Sequence, residues 1–452
     1  MRILIVNKFL YPNGGSETYI FKIGEELRRQ GHEVQYFGME HEGRIVGNRV
    51  GVYTADMDFH GGGAARLLYP FRILYSREAR KKLRLVLEDF RPDAVHLNNI
   101  NFQLTPSVID EVRAFDRRRK KAAASQGEEA PKPTRIVYTA HDYQWICPNH
   151  TLQIPSTGKL CELCTHGDFS NCVKNRCIHN SRMRSLLGTM EALLYKYKKT
   201  YAQVDKIICP SDFMNRMLSR NPVFAGKTVT MHNFIDFEDG GIDGKPQVSA
   251  KQDITVLEVS AEHNFAEWKA TEITAMTVEA IHRPYILYFG RYSMEKGVRT
   301  LLGACRELPE VDFVFAGKGE LQAEVAALPN VEDRGFLSGT ALMETIRGAQ
   351  LVVFPSEWYE NCPFSVMEAQ ALGVPVLASD LGGTPELICR TQGQETGELF
   401  HGGDGDALAK KLLALWNDPQ RCARYGRNAR AWMKRFDTAE RYVGKLLDMY
   451  VQ

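Results

Sequence analysis

Short apolar runs separated by amphipathic stretches set the frame of this chain. RILIVN (2–7) and EVQYFG (33–38) predict buried strands, with a helix over residues 17–30 between them. AVHLN (94–98), RIVYTA (135–140) and KIICP (206–210) continue the series. The second half repeats it with YILYFG (285–290), DFVFAG (312–317), LVVFPS (351–356) and VPVLAS (374–379), each followed by a helical pattern. Runs that are apolar throughout, with no alternation, suit parallel strands covered on both faces. The fold class is therefore α/β, with two doubly wound domains. No fixed-period repeat accompanies the pattern, which excludes a solenoid.

The expected boundaries are an N-terminal domain over 1–236, a linker or insertion over 237–283, and a second domain over 284–452. A cysteine-rich insertion occupies 147–180, and the last helix is a candidate to cross back to the N-terminal domain. Residues 116–133, DRRRKKAAASQGEEAPKP, read as a mobile surface insertion because they are charged and end in Pro-Lys-Pro.

A length of 452 residues fits two large domains, and 44% hydrophobic with 25% charged residues excludes a disordered or fibrous chain. No apolar run approaches the roughly 20 residues that cross a bilayer. The N-terminal apolar burst is short and enters polar and glycine residues, so it reads as a first strand and the expected location is cytoplasmic. A net charge of +2 hides a division: residues 1–236 hold 35 Lys and Arg against 24 acids, residues 237–452 hold 22 against 31. The basic half contains LLYPFRILYSREARKKLRLVLEDF (67–90) and MRSLLGTMEALLYKYKKTYAQ (183–203), which read as basic amphipathic helices. Such helices either dock on an anionic membrane surface, at the inner face of the membrane, or pack on the sheet with Lys and Arg outward. Nothing in the chain carries a nucleic-acid motif, so nucleic acid is not expected as a partner.

The densest chemistry lies in FPSEWYENCPFSVMEAQALGVPVLASDLGG (354–383). Glu360 falls in a loop after a strand and Glu368 inside the next helix, which Pro363 starts with its fixed φ. Free N–H groups at that helix start point to the end of the sheet, where open α/β sheets bind ligands. FGRYSMEKG (289–297) brings Arg291 and Lys296 to the same edge, a fork and a point charge suited to a diphosphate. The Asp-x-Asp strings Asp404/Asp406 and Asp56/Asp58 could hold a divalent ion, but Asp404 precedes a helical run and reads as an N-cap. Gly317-Lys318-Gly319 lacks the third glycine of a dinucleotide fingerprint.

Arg291, Lys296, AGKGEL (316–321), the Glu360/Glu368 pair and DLGGTPEL (380–387) together resemble the donor domain of retaining glycosyltransferases of family 4, the glycosyl transferases group 1. The resemblance implies the GT-B fold, two Rossmann-like doubly wound domains facing each other across a cleft. NKFLYPNGGSE (7–17), GHEV (31–34), TAHDY (139–143), CPSDF (209–213) and HNFID (232–236) extend the likeness through the first half. It implies transfer of a sugar from a nucleotide-diphosphate sugar to a hydroxyl of a glycan or lipid-linked acceptor, with configuration retained, no catalytic metal and a role in surface polysaccharide synthesis. By position it implies that Glu368 binds the ribose and Glu360 a sugar hydroxyl. The backbone of Asn361, Cys362, Pro363 and Phe364 would lie around the sugar, with Arg291 and Lys296 on the diphosphate. Gly14 and Gly15 would approach that diphosphate, and His141 would position the sugar. ENCPFSVME departs from the family's usual small or glycine residues after the first Glu. A nucleotide-sugar epimerase of the same fold and a non-catalytic sugar-nucleotide-binding subunit are the alternatives.

Cys147, Cys161, Cys164, Cys172 and Cys177 gather within thirty-one positions. The Cys161/Cys164 and Cys172/Cys177 pairs have spacings that could hold a structural zinc; an iron–sulfur cluster or plain thiols are the other readings.

Overall fold

The computed structural model describes residues 1–55, 74–236 and 283–451. Asp56 and Asp58, the start of the 67–90 helix and nearly all of the 237–283 insertion lie outside the described residues.

Two six-stranded parallel sheets carry the fold. The first is built from β1 (Arg2–Val6), β2 (Glu33–Phe37), β3 (Ala94–Leu97) and β4 (Arg135–Thr139). A small hairpin of β5 (Gln153–Ile154) and β6 (Lys159–Leu160) follows, before β7 (Lys206–Cys209) and β8 (Thr228–Thr230) complete the sheet. Its order is β2-β1-β3-β4-β7-β8. The second contains β9 (Ile286–Arg291), β10 (Phe313–Lys318), β11 (Val331–Asp333), β12 (Leu351–Phe354), β13 (Val376–Ser379) and β14 (Gly397–Phe400), in the order β11-β10-β9-β12-β13-β14. Helices cover both faces, so central strands are buried throughout, as with Ala94–Leu97 and Leu351–Phe354. This is the GT-B arrangement of two Rossmann-like sheets.

Each order reverses at one point, between β1 and β3 in the first sheet and between β9 and β12 in the second. At such a point the connections leave to opposite faces, and a crevice opens beyond the carboxyl ends of the two strands. The loops after β1, β3, β9 and β12 are therefore the ones that can build a site.

One segment differs from expectation, and a second takes one of its two expected readings. Residues 116–126 continue the helix Ser107–Gln126, which ends on Gly127 with φ 70°. Its Ala, Arg, Lys and Gln residues are strong helix formers. Phe115 and Ala123 anchor it, and Arg118 pairs with buried Glu111 at 3.1 Å. The charge taken as a sign of mobility is the solvated face of an ordered helix. The helix Arg77–Phe90 spends its apolar face on the core through Ala79, Leu83, Val86, Leu87 and Phe90, while Lys82 donates to the Tyr53 carbonyl. Among its described residues Leu85 alone of the large apolar side chains is exposed, so this part packs on the sheet with Lys and Arg outward.

The last helix, Ala439–Val451, returns to the first sheet and packs on the helix Gly15–Arg29 and on β4. Its Tyr442, Val443, Leu446 and Tyr450 join the core of Ile3, Ile5, Tyr19 and Ile20. A buried polar chain goes with it: Tyr450 hydroxyl to His96 Nδ1 at 2.7 Å, His96 Nε2 to Thr139 at 2.8 Å, Thr139 to Tyr19 at 3.0 Å, and Tyr19 to Tyr442 at 2.9 Å. Residues Met1–Asp236 and Pro284–Gln452 form one compact unit.

Candidate active site

The reversal point of the second sheet gathers the charged residues. At the end of β9, Arg291 stands exposed, and among the described residues no carboxylate pairs with it. The chain then makes a short turn to Lys296 and Gly297. Gly297 has φ 69°, and a Cβ there would lie 1.9 Å from the Pro355 carbonyl, so only glycine lets this loop close on the end of β12.

From β12 the loop carries Ser356, Trp358 and Glu360. Glu360 Oε1 accepts from Lys296 Nζ at 2.5 Å, from Trp358 Nε1 at 2.7 Å and from Ser356 Oγ at 2.9 Å. Lys296 Nζ also sits 5.0 Å over the Trp358 ring. One carboxylate oxygen thus has three donors, which fixes the side chain. Gly382 and Gly383 let the DLGG turn pack against this loop, since a Cβ on them would meet the Glu360 carbonyl at 2.3 Å and the Asn361 carbonyl at 1.9 Å. The Gly383 amide donates to the Glu360 carbonyl at 2.7 Å.

The helix Phe364–Ala371 begins on Pro363, and no side chain caps it. Its first N–H groups therefore face the crevice with the positive end of the helix dipole. Glu368 lies within it; burial raises its carboxyl pKa, and the cation of Lys22, on the helix Gly15–Arg29, works against the rise. Cys362 turns inward, its thiol on the Met367 sulfur at 3.7 Å and pushed up to about 12 by burial, so only its backbone can serve a ligand. Phe364 packs toward Phe234 of the first half.

Across the crevice stand the loops of the first sheet. Asn7 Oδ1 accepts from the Asn99 amide at 3.0 Å and Asn7 Nδ2 donates to Glu17 at 2.9 Å, tying the loop after β1 to the loop after β3. Gly14 and Gly15 follow, with φ values that any residue adopts at Gly14 and a hypothetical Cβ at Gly15 3.8 Å from Phe364. Neither position needs glycine for the chain's own packing. His141 follows β4, and burial lowers its pKa to about 3, so the ring is neutral. Its Nε2 donates to Asn98 Oδ1 at 2.9 Å, an orientation fixed because Asn98 Nδ2 donates to the His96 carbonyl. That leaves His141 Nδ1 as the acceptor.

The two sheets are joined at this crevice. Asn361 Nδ2 donates to the His141 carbonyl at 2.7 Å, and Asn233 Nδ2 to the Cys362 carbonyl at 2.7 Å. Glu386 accepts from the Asp212 and Phe213 amides at 2.8 and 2.7 Å, where the helix Asp212–Ser219 starts, and lies 2.9 Å from His232 Nε2. Among the described residues, Asp212, His232 and Glu386 are the one trio of metal-type ligands whose atoms lie within 4.8 Å of one another. Both Glu386 oxygens are already engaged, so the trio is a clamp between the halves. The cysteine-rich segment touches the same loop, with the Tyr359 hydroxyl donating to Glu162 at 2.9 Å.

Arg291, Lys296, Glu360 and the start of the Glu368 helix thus share one sheet edge, with His141, Gly14 and Gly15 on the facing loops. Sequence reasoning missed Ser356, Trp358, Asn98, Lys22 and Glu386. Ser356 and Trp358 lie four and two residues before Glu360, close enough to have been read as its partners. Asn98 and Lys22 carry no local signal. Asp404 caps the helix Gly405–Trp416 by accepting from the Ala407 amide at 2.9 Å, as its position predicted. The cysteines are free thiols; Cys164, Cys172 and Cys177 pack with Phe169 in a small apolar cluster, and Cys147 belongs to the first core. This arrangement adds nothing in favour of zinc on Cys161, Cys164, Cys172 and Cys177.

Comparison with known proteins agrees with the geometry. The model for glycosyl transferases group 1 matches residues 272–432, and the model for glycosyltransferase family 4 matches residues 13–107. Sulfoquinovosyl transferase SQD2 of Arabidopsis thaliana is 31% identical over 159 residues, 34% of this chain and 31% of that protein. The amylovoran biosynthesis glycosyltransferase AmsK of Erwinia amylovora is 33% identical over 154 residues, 30% of this chain and 37% of its own. The matched stretches thus span about a third of these curated relatives. Among solved structures, sucrose-phosphate synthase from Thermosynechococcus elongatus aligns with a TM-score of 0.63 at 17% identity, covering 100% of this chain and 98% of that one. HepE of Anabaena in complex with UDP-glucose aligns at 0.58 and 16% identity, covering 99% of each chain. These two establish the fold alone. The two family models fall on the two halves of one crevice, and the chain belongs to the glycosyl transferases group 1, family 4.

Proposed function

We propose that the protein is a configuration-retaining, metal-independent glycosyltransferase that moves a sugar from a nucleotide-diphosphate sugar to a hydroxyl of a glycan or lipid-linked acceptor, in surface polysaccharide synthesis. The observation that carries this reading is the cluster in which Lys296, Trp358 and Ser356 converge on Glu360 beside an uncapped helix start. Residues 284–452 would hold the donor and residues 1–236 would receive the acceptor.

The donor diphosphate takes Arg291 and Lys296, which balance the charge that grows as the bond to the sugar breaks. Two such cations can supply the compensation a divalent ion gives elsewhere. Glu368 accepts from the ribose diol and Glu360, through its second oxygen, from a sugar hydroxyl. Amides of Asn361, Pro363's successor Phe364 and their neighbours complete the sugar site. Neutral His141 offers an acceptor nitrogen to the sugar. Gly14 and Gly15 would let the backbone approach the diphosphate closely, a role left open because neither position needs glycine for the chain's own packing. Closed halves exclude water that would hydrolyse the donor. Several relatives carry names of this kind, among them the O-antigen chain mannosyltransferase C of Escherichia coli, and HepE was solved with UDP-glucose.

Incubation with a panel of nucleotide-diphosphate sugars and glycan acceptors tests the proposal. Free nucleotide diphosphate should appear in step with an α- or β-linked product of the donor's own configuration, at a rate that EDTA leaves unchanged. Interconversion of donor sugars without nucleotide release would make the protein an epimerase, and binding without turnover a non-catalytic subunit. Loss of the rate with EDTA, restored by Mg²⁺ or Mn²⁺, would overturn metal independence.

A further inference from the structure

The helix Arg182–Tyr197, between the cysteine-rich segment and β7, is amphipathic in the wrong sense for a soluble protein. The residues it buries are Ser185, Gly188, Thr189, Glu191 and Tyr195. The residues it exposes include Met183 at 76%, Leu186 at 43%, Met190 at 49%, Leu193 at 47% and Tyr197 at 88%. Their spacing of three and four places them in one stripe along the helix. Of the thirteen large hydrophobic residues exposed among the described residues, five lie on this stripe.

Specific contacts hold the polar side inward. Ser185 Oγ accepts from the Ile178 amide at 3.0 Å, and Thr189 Oγ1 donates to the Phe169 carbonyl at 3.1 Å. The Tyr195 hydroxyl donates to the Leu74 carbonyl at 2.9 Å, and a Cβ on Gly188 would lie 2.4 Å from Ile178. The helix cannot roll its stripe into the core without breaking these. Glu191 is buried with Oε1 unpartnered, a cost the fold bears in this orientation.

Charge indicates what covers the stripe. Arg182 and Arg184 are exposed at one end and Lys199 at the other, beside Lys196 and Lys198, which already meet the Gly167 carbonyl at 3.0 Å and Asp110 at 3.2 Å, while the helix's one acid is buried. Arginines at a helix start are disfavoured by the dipole, so these two call for a negative partner outside the chain. A second copy of this chain pairing through the stripe, parallel or antiparallel, would set basic ends against basic ends. Phosphates of an anionic bilayer meet both ends and admit the apolar stripe between them.

We propose that the Met183–Leu186–Met190–Leu193–Tyr197 stripe docks the protein on anionic lipid, with the helix lying in the plane of the interface. This inference does not rest on the transfer reaction. Full-length protein should co-sediment with phosphatidylcholine vesicles containing phosphatidylglycerol, and weakly with phosphatidylcholine alone. Met190→Ser with Leu193→Ser should lower that binding by about tenfold or more without changing the melting temperature, because both side chains are exposed. Arg182→Glu with Arg184→Glu should remove the preference for anionic vesicles. Leu193→Trp gives a second readout: its added emission should shift to the blue on mixing with anionic vesicles. The proposal is overturned if the wild type stays in solution with both vesicles, or if the serine variant binds as the wild type does. A dimer in light scattering that the serine variant dissolves would assign the stripe to a second copy instead.

Discussion

Glu360 is held by three donors through one oxygen, and one of them, Lys296, is the residue proposed to meet the diphosphate. Donor binding must therefore draw Lys296 from a carboxylate that keeps its place through Trp358 and Ser356. Lys296→Ala should lower kcat on the order of 10²–10³, as when one charge-stabilising donor is lost. Trp358→Phe keeps the ring under the cation and removes only the N–H, so it should reduce kcat/KM by about fivefold, the worth of one ordinary hydrogen bond. Steady-state kinetics with the donor sugar measures both. Wild-type turnover in both variants would detach this cluster from the reaction.

At the scale of the element, the helix Arg182–Tyr197 carries a titration as well as a surface. Burial raises the Glu191 pKa from 4.5 to about 8. The folded state keeps the proton over that window while the unfolded state loses it. Stability is therefore greatest below the unfolded value and falls as pH rises toward about 8. Near neutrality the cost is on the order of 3 kcal/mol, at about 1.4 kcal/mol per unit. Glu191→Gln should raise the melting temperature at neutral pH and leave it near the wild-type value at pH about 4.5. Differential scanning calorimetry across that range decides it; parallel pH profiles would mean that Glu191 finds a partner. The contrast with the helix Arg77–Phe90 is instructive. Both sequences read as basic amphipathic helices, and only packing separated the one that spends its apolar face on the core from the one that exposes it.

Across the whole molecule, the chain's last helix completes the core of its first sheet. Tyr442 lies against Tyr19, Phe234 and the polar chain that runs through His96 to Tyr450. Tyr442→Ala should destabilise the protein by about 3–5 kcal/mol, as for other large buried aromatics. Urea unfolding reads the change. A loss below 1 kcal/mol would make the helix an attachment on a self-sufficient first domain, given that roughly 1 kcal/mol is the average for any substitution. The Glu386 clamp and the Asn361 and Asn233 bonds join the halves at the crevice itself, so substitutions there bear on closure as well as on stability.

The strands, their parallel pairing and the loops after β9 and β12 were legible because continuous apolar runs and glycine- and proline-marked turns are local properties of the chain. The placement of Arg291, Lys296, Glu360 and Glu368 near one sheet edge was legible for the same reason, since each lies close to a strand end. The sequence could not say that residues 116–126 extend a helix, because a charged alanine-rich stretch reads alike as solvated helix or as mobile loop until Phe115 and Ala123 are placed on a core. Nor could it give the partners of His141, the reach of Lys22 toward Glu368, or the return of Tyr442 and Tyr450 to the first sheet. Those join residues more than forty positions apart, which only the tertiary packing brings together. Whether an apolar stripe faces a core or the solvent was settled in the same way, by which neighbours the fold had left to cover it.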